Sequence, residues 1–191
     1  MTIAKIRDAL LKAEKGITQY AVLMHEFPKV DVSLDVDFQR KYNAFYRVQR
    51  RQMAWYLSYY TLMQKLKETK PLFADVLDEI YRLTGRYEPS FASKLVATID
   101  PLKPIWDIHI LKNTGHGAPS YASKNKLALA KVAYASLEDW YEKFLDSAEG
   151  KLYISEFDQF APDYCGLTAL KKVDFILWQT RSIPAKKVRS T

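Results

Sequence analysis

Pro89-Ser90-Phe91-Ala92-Ser93-Lys94-Leu95, followed by Pro104-Ile105-Trp106-Asp107, is the stretch on which the reading of this chain turns. Pro89 suits the first position of a helix, where its missing N–H costs nothing. The run from Ser90 to Thr98 has the apolar spacing of a short helix, and Lys94 lies near its start. Pro104-Ile105-Trp106 is a turn, and Asp107 stands where a side-chain oxygen can cap the next helix. A lysine and an aspartate are thus each set at a helix entrance, thirteen residues apart.

Working outward, Pro71 opens a helix carrying Phe73, Val76, Leu77, Ile80 and Leu83, and Gly85 is placed to end it. The longest helical pattern runs from about Asp35 to Lys67 and contains neither Gly nor Pro, and the sequence leaves open whether it bends near Arg50-Arg51-Gln52. Thr2 is positioned to cap a first helix with Ile3, Ile6, Leu10 and Ala13 on one stripe, ending near Gly16. Phe27-Pro28 breaks the chain, and Lys29 to Leu34 reads as a connector. Gly115-His116-Gly117-Ala118-Pro119 is a loop. Ser120 to Asp146 reads as another long helix, followed by shorter ones near Lys151–Phe160 and Leu167–Trp178.

The 191 residues are enough for one domain with a substantial core and short for two. With only 6 glycines and many long periodic segments, an all-α protein of about eight helices is expected over residues 1–183, with a basic, loose tail over 184–191. A net charge of +7 is compatible with a polyanionic partner. Cys165 is the only cysteine, which excludes an intramolecular disulfide and argues against a Cys-based metal site. No 18-residue apolar run and no signal-like N-terminus is present, so a cytoplasmic protein without a membrane partner is expected. His25, His109 and His116 are not accompanied by an acidic cluster, and no metal or cofactor is expected.

The Glu88–Lys94 run together with Pro104–Asp107 resembles the active-site half of the helix–hairpin–helix DNA glycosylases. The match is better to divergent bacterial proteins whose fold is similar to 8-oxoguanine glycosylases, which carry a Phe-X-Ser/Thr-Lys run and a later Asp before a helix. The resemblance covers roughly residues 73 to 115, and an Asp174-Phe175-Ile176-Leu177-Trp178 ending adds to it. It implies an all-α, helix–hairpin–helix glycosylase-like bundle that binds double-stranded DNA.

The resemblance also assigns roles. Lys94 would be the amine that attacks C1′, and Asp107 the carboxylate that offsets charge on the sugar. Tyr87, Trp106, Tyr121 and Trp178 are candidate faces for an everted base. Arg47, Arg50, Arg51, Ser90, Ser93 and Lys112 are candidate phosphate contacts. Ser90 and Ala92 stand where the family has hairpin glycines, and the Lys94–Asp107 interval is several residues shorter than in the well-studied enzymes.

The residues alone leave plainer readings open. Asp107 can be a helix cap and nothing more. Lys94 can be a solvated surface lysine, and Arg47 and Arg51 the outer face of a long helix. Lys124, Lys126, Lys131 and Lys171-Lys172 add basic groups that need not converge. The fold can also be retained by a non-catalytic nucleic-acid or protein interaction module.

Overall fold

The computed structural model describes residues 1–180. Nine α-helices and two short 3₁₀ turns make up these residues, and no strand occurs among them. The basic segment expected over 184–191 lies outside the described residues.

Helix α1 spans Ile3–Glu26. Ile6, Ala9, Leu10, Ala13, Ile17, Tyr20 and Leu23 form its buried stripe, at the i, i+3, i+4, i+7 spacing of a single face. The expected end near Gly16 is corrected, because the stripe continues a further two to three turns. Gly16 sits inside the helix, where a β-carbon would come within 3.8 Å of Phe175 and 3.9 Å of Phe45. Both are ordinary van der Waals distances, so the position neither ends the helix nor requires a glycine.

The expected long helix over 35–67 is two helices, α2 (Val36–Tyr46) and α3 (Met53–Leu66). Asp35 caps α2 by accepting from the Phe38 N–H at 2.8 Å. Arg47, at φ 55°, ends α2 in the left-handed region, and Arg50 at φ 57° is left-handed too. These two non-glycine residues turn the chain where no Gly or Pro advertises it. The turn is held from α3 by the Tyr56 hydroxyl, which donates to the Val48 carbonyl at 3.2 Å.

Helix α4 (Phe73–Thr84) buries Phe73, Val76, Leu77 and Ile80 and stops at Gly85, φ 67°, whose N–H returns to the Tyr81 carbonyl at 2.8 Å. Helix α5 (Pro89–Ile99) packs against α4. After α6 (Ile108–Asn113) comes α7 (Lys126–Asp146), shorter at its start than the expected Ser120. Helix α8 (Ala148–Phe160) follows after one residue, capped by Ser147, which accepts from Gly150 N–H at 3.0 Å. A side chain at Gly150 would collide with the Phe144 backbone, so only glycine allows this sharp corner.

The last described helix, α9 (Ala169–Gln179), is buried from Leu170 to Leu177 and packs against α1, α6, α7 and α8. A helix buried on every side forms the centre of such a bundle. Lys171 and Lys172, expected among the surface basic groups, are therefore interior residues at 1% and 5% exposure. Lys171 pairs with Asp174 at 2.9 Å, and Lys172 with Asp158 at 2.6 Å. Among the described residues no helix is long and apolar enough to cross a membrane.

Candidate functional site

Helix α5 is almost as enclosed as α9, and this decides the environment of Lys94. Phe91, Leu95 and Val96 are apolar and buried, and the helical turn places Lys94 among them. Its side chain lies inside the protein at 8% exposure rather than on a solvated face. The amine donates to the carbonyl of Tyr46, the last residue of α2, at 2.9 Å, and lies 5.1 Å from the centre of the Phe91 ring. No carboxylate forms an ion pair with it among the described residues. Burial pushes its pKa down to about 8; Asp107 opposes the fall, Arg47 adds to it, and Glu88 opposes it. At pH 7 a pKa of about 8 leaves about a tenth of this amine unprotonated, which is the state a nucleophile needs.

Asp107 reaches the same region from the other direction. Ser93, fully buried, donates to the Ser90 carbonyl at 3.0 Å and accepts the Trp106 backbone N–H at 2.8 Å. The Tyr134 hydroxyl on α7 donates to the Pro104 carbonyl at 2.8 Å. Between them these bonds fix the Pro104–Trp106 turn against α5 and α7, and so set the entrance of α6. The Asp107 carboxylate is half-buried and accepts from the His109 N–H at 2.8 Å, which makes it the α6 cap. It is close enough to Lys94 to raise the amine's pKa.

The other expected residues divide. Arg47, Arg50 and Lys112 are exposed. Arg51 is largely buried, paired with Glu88 at 2.9 Å, and its guanidinium stands 5.0 Å from the centre of the Phe91 ring and 5.7 Å from that of Trp55. Ser93 is a structural bolt with no free face, whereas Ser90 is half-buried. Trp106 is in the core, stacked parallel to Phe73 at 6.1 Å, so its ring is not free to receive a base. Tyr87 is buried too and meets the exposed Tyr121 ring edge-on at 5.2 Å. Trp178 is half-buried and edge-on to Phe45 at 5.7 Å. Of the four rings, Tyr121 is the one that presents a broad face to solvent.

The run that matches the family's hairpin is helical from Pro89 onward, in line with the helix expected over Ser90–Thr98. Ser90 and Ala92 stand inside α5 and face no demand for positive φ; the connection from α4 is Gly85–Glu88, where Gly85 alone takes that conformation.

Several residues that matter here escape sequence reasoning. Glu88, at 6% exposure, bridges Arg51 and Arg86, each at 2.9 Å. Tyr46 supplies the carbonyl for Lys94, and its hydroxyl accepts from Thr98 at 3.4 Å. Asp174 is bonded by Lys171 and by the Tyr141 hydroxyl. Burial lowers the Lys171 amine most strongly of any single cause, but the charge and hydrogen bond of Asp174, with the neighbouring Tyr20 and Tyr46, together raise it further and hold the group charged. The signal that could have flagged Asp174 is an acid in the middle of an otherwise apolar Val-Asp-Phe-Ile-Leu-Trp run. Among the described residues no cluster of three His, Cys, Asp or Glu side chains could hold a metal ion.

No protein-family model matches this chain, and no curated protein or solved structure matches it at a significant level.

Proposed function

We propose that this chain is a DNA-binding protein of the helix–hairpin–helix glycosylase type, in which Lys94 and Asp107 act on the sugar of a modified nucleotide. The observation that carries the reading is the Lys94 amine: buried, without a direct carboxylate partner, lowered to about 8, and near a carboxylate fixed at a helix entrance. In the reaction, the amine lone pair attacks C1′ and the N-glycosidic bond breaks, its electrons leaving with the base, which takes up a proton. Loss of the amine proton and ring opening give an imine. Asp107 offsets positive charge on the sugar during bond breaking. The net charge of +7 and the exposed Arg47, Arg50 and Lys112 suit a polyanionic partner. Because the amine is bonded to the Tyr46 carbonyl, attack requires that hydrogen bond to break first.

That same bond favours a second reading, in which the fold is kept for binding alone and Lys94 is a strut between α5 and the end of α2. Borohydride trapping on duplexes bearing abasic sites and damaged bases separates the two. The first reading expects a covalent adduct that Lys94→Ala abolishes and Asp107→Asn weakens. Binding without an adduct on any duplex would leave the second.

A further inference from the structure

Beside the start of α3 and the end of α4 lies a cavity of about 410 Å³, lined among others by Arg50, Arg51, Gln52, Trp55, Thr84 and Arg86. Its charged groups are arranged unequally. The buried Glu88 carboxylate holds Arg51 and Arg86 together, so one negative charge serves two positive ones. Arg50 is exposed, and its side chain makes no ion pair among the described residues. The surplus is cationic.

Two buried groups on residues lining this cavity lack a partner, and both are donors. Trp55 is 5% exposed, and its indole Nε1 is buried without an acceptor; Arg51 Nε is in the same condition. Buried donors of this kind are uncommon in folded proteins and call for an explanation. The 14-residue helix α3 also begins here, and Gln52 at its cap position offers no side-chain acceptor to the first-turn N–H groups. Helix dipole, guanidinium groups and orphan N–H donors therefore point to one kind of guest.

We infer that this cavity is a binding site for a phosphate oxyanion. The inference rests on the DNA-binding reading above when the phosphate belongs to a strand, but the same chemistry would hold the phosphate of a free nucleotide. Phe91 ties the site to Lys94, since the Arg51 guanidinium and the Lys94 amine lie 5.0 Å and 5.1 Å from the centre of its ring. A phosphate held in the cavity would use none of the hairpin glycines of the family the chain resembles. The left-handed backbone at Arg50 turns that residue at the cavity rim, a conformation that tends to collect at functional positions.

The test uses Arg50→Gly combined with Arg86→Ala, both at exposed positions, with thermal melting to confirm folding. Binding of a fluorescent 20-base-pair duplex is followed by anisotropy over a salt series. The site predicts weaker binding by a similar factor on unrelated sequences, and a salt slope smaller by about one, the signature of one lost phosphate contact. An unchanged slope would overturn the site and leave the DNA reading standing. In a second arm, inorganic phosphate is titrated while tryptophan emission and ³¹P line width are recorded. If the wild type binds no duplex but responds to phosphate, and the double variant does not respond, the site stands and the DNA reading falls. Silence in both arms would refute both.

Discussion

Lys94 and Lys171 are both buried lysines on enclosed helices, and the protein treats them in opposite ways. Lys171 on α9 has Asp174 one turn away at 2.9 Å, with Tyr141 bonded to the same carboxylate. Lys94 on α5 has a carbonyl at 2.9 Å and a carboxylate only at a distance. Each loses water, but only the first recovers a full opposing charge. Its amine stays ionised, whereas the Lys94 amine is lowered to about 8. Burial alone does not lower a lysine's pKa; burial without a paired anion does. The α9 pair is an ion pair of the core, and the α5 amine is a buried cation held only by a carbonyl.

The sharpest way to break this contrast is to remove each amine in turn. Lys171→Met strands Asp174 as an unpaired buried charge and is expected to lower the unfolding free energy by about 3–5 kcal/mol, measured in urea. Replacing both members, Lys171→Met with Asp174→Leu, should restore most of that loss. A single-variant cost below about 1 kcal/mol would show that the pair is not held apart from water.

Lys94→Met should differ from wild type mainly in its pH dependence. The folded amine loses its proton near 8, while the unfolded one keeps it to 10.5, so between those values the unfolded chain binds more protons. Wild-type stability should therefore rise with pH across this window relative to Lys94→Met, by about 3 kcal/mol in total at ~1.4 kcal/mol per pH unit. Urea midpoints of the two proteins at pH 7, 8, 9 and 10 provide the comparison. A constant difference would mean that the Lys94 amine titrates as if in water.

Glu88 does for Arg51 and Arg86 what Asp174 does for Lys171, but nearer the surface. Glu88→Gln should cost about 2 kcal/mol through weakened charge-assisted hydrogen bonds, read from the thermal midpoint. An effect as large as that of Lys171→Met would erase the distinction between core and rim. The smallest change is expected from Arg50→Gly, which relieves a left-handed residue and should stabilise the fold by up to about 1 kcal/mol. A loss of stability instead would reveal a side-chain contact made by Arg50.

Much of the local architecture is legible because it depends on neighbours in the chain. The Phe73, Val76, Leu77, Ile80 stripe and the Gly85 stop are where spacing and φ requirements put them. Asp107 caps α6 as its position implies. The break at residues 47–52 is not legible, because arginines in the left-handed region carry no compositional mark. Gly16 misleads in the opposite sense: a residue that often ends helices lies inside one, because the buried stripe of α1 continues past it. Trp106 is placed correctly after its turn, yet its exposure depends on Phe73, more than thirty residues away.

The sequence by itself determined the all-helical character of the described residues, most of their helix limits, and the setting of Asp107 at the α6 entrance, since periodicity, capping and proline geometry act within a few residues; Lys94, expected at the start of its helix, lies at the middle of α5. Only the tertiary structure decided that Lys94 lies under the end of α2, that Lys171 and Lys172 point inward, and that Arg50, Arg51 and Arg86 border one cavity. Desolvation and charge pairing depend on which helices lie against one another, and one-dimensional spacing does not carry that information.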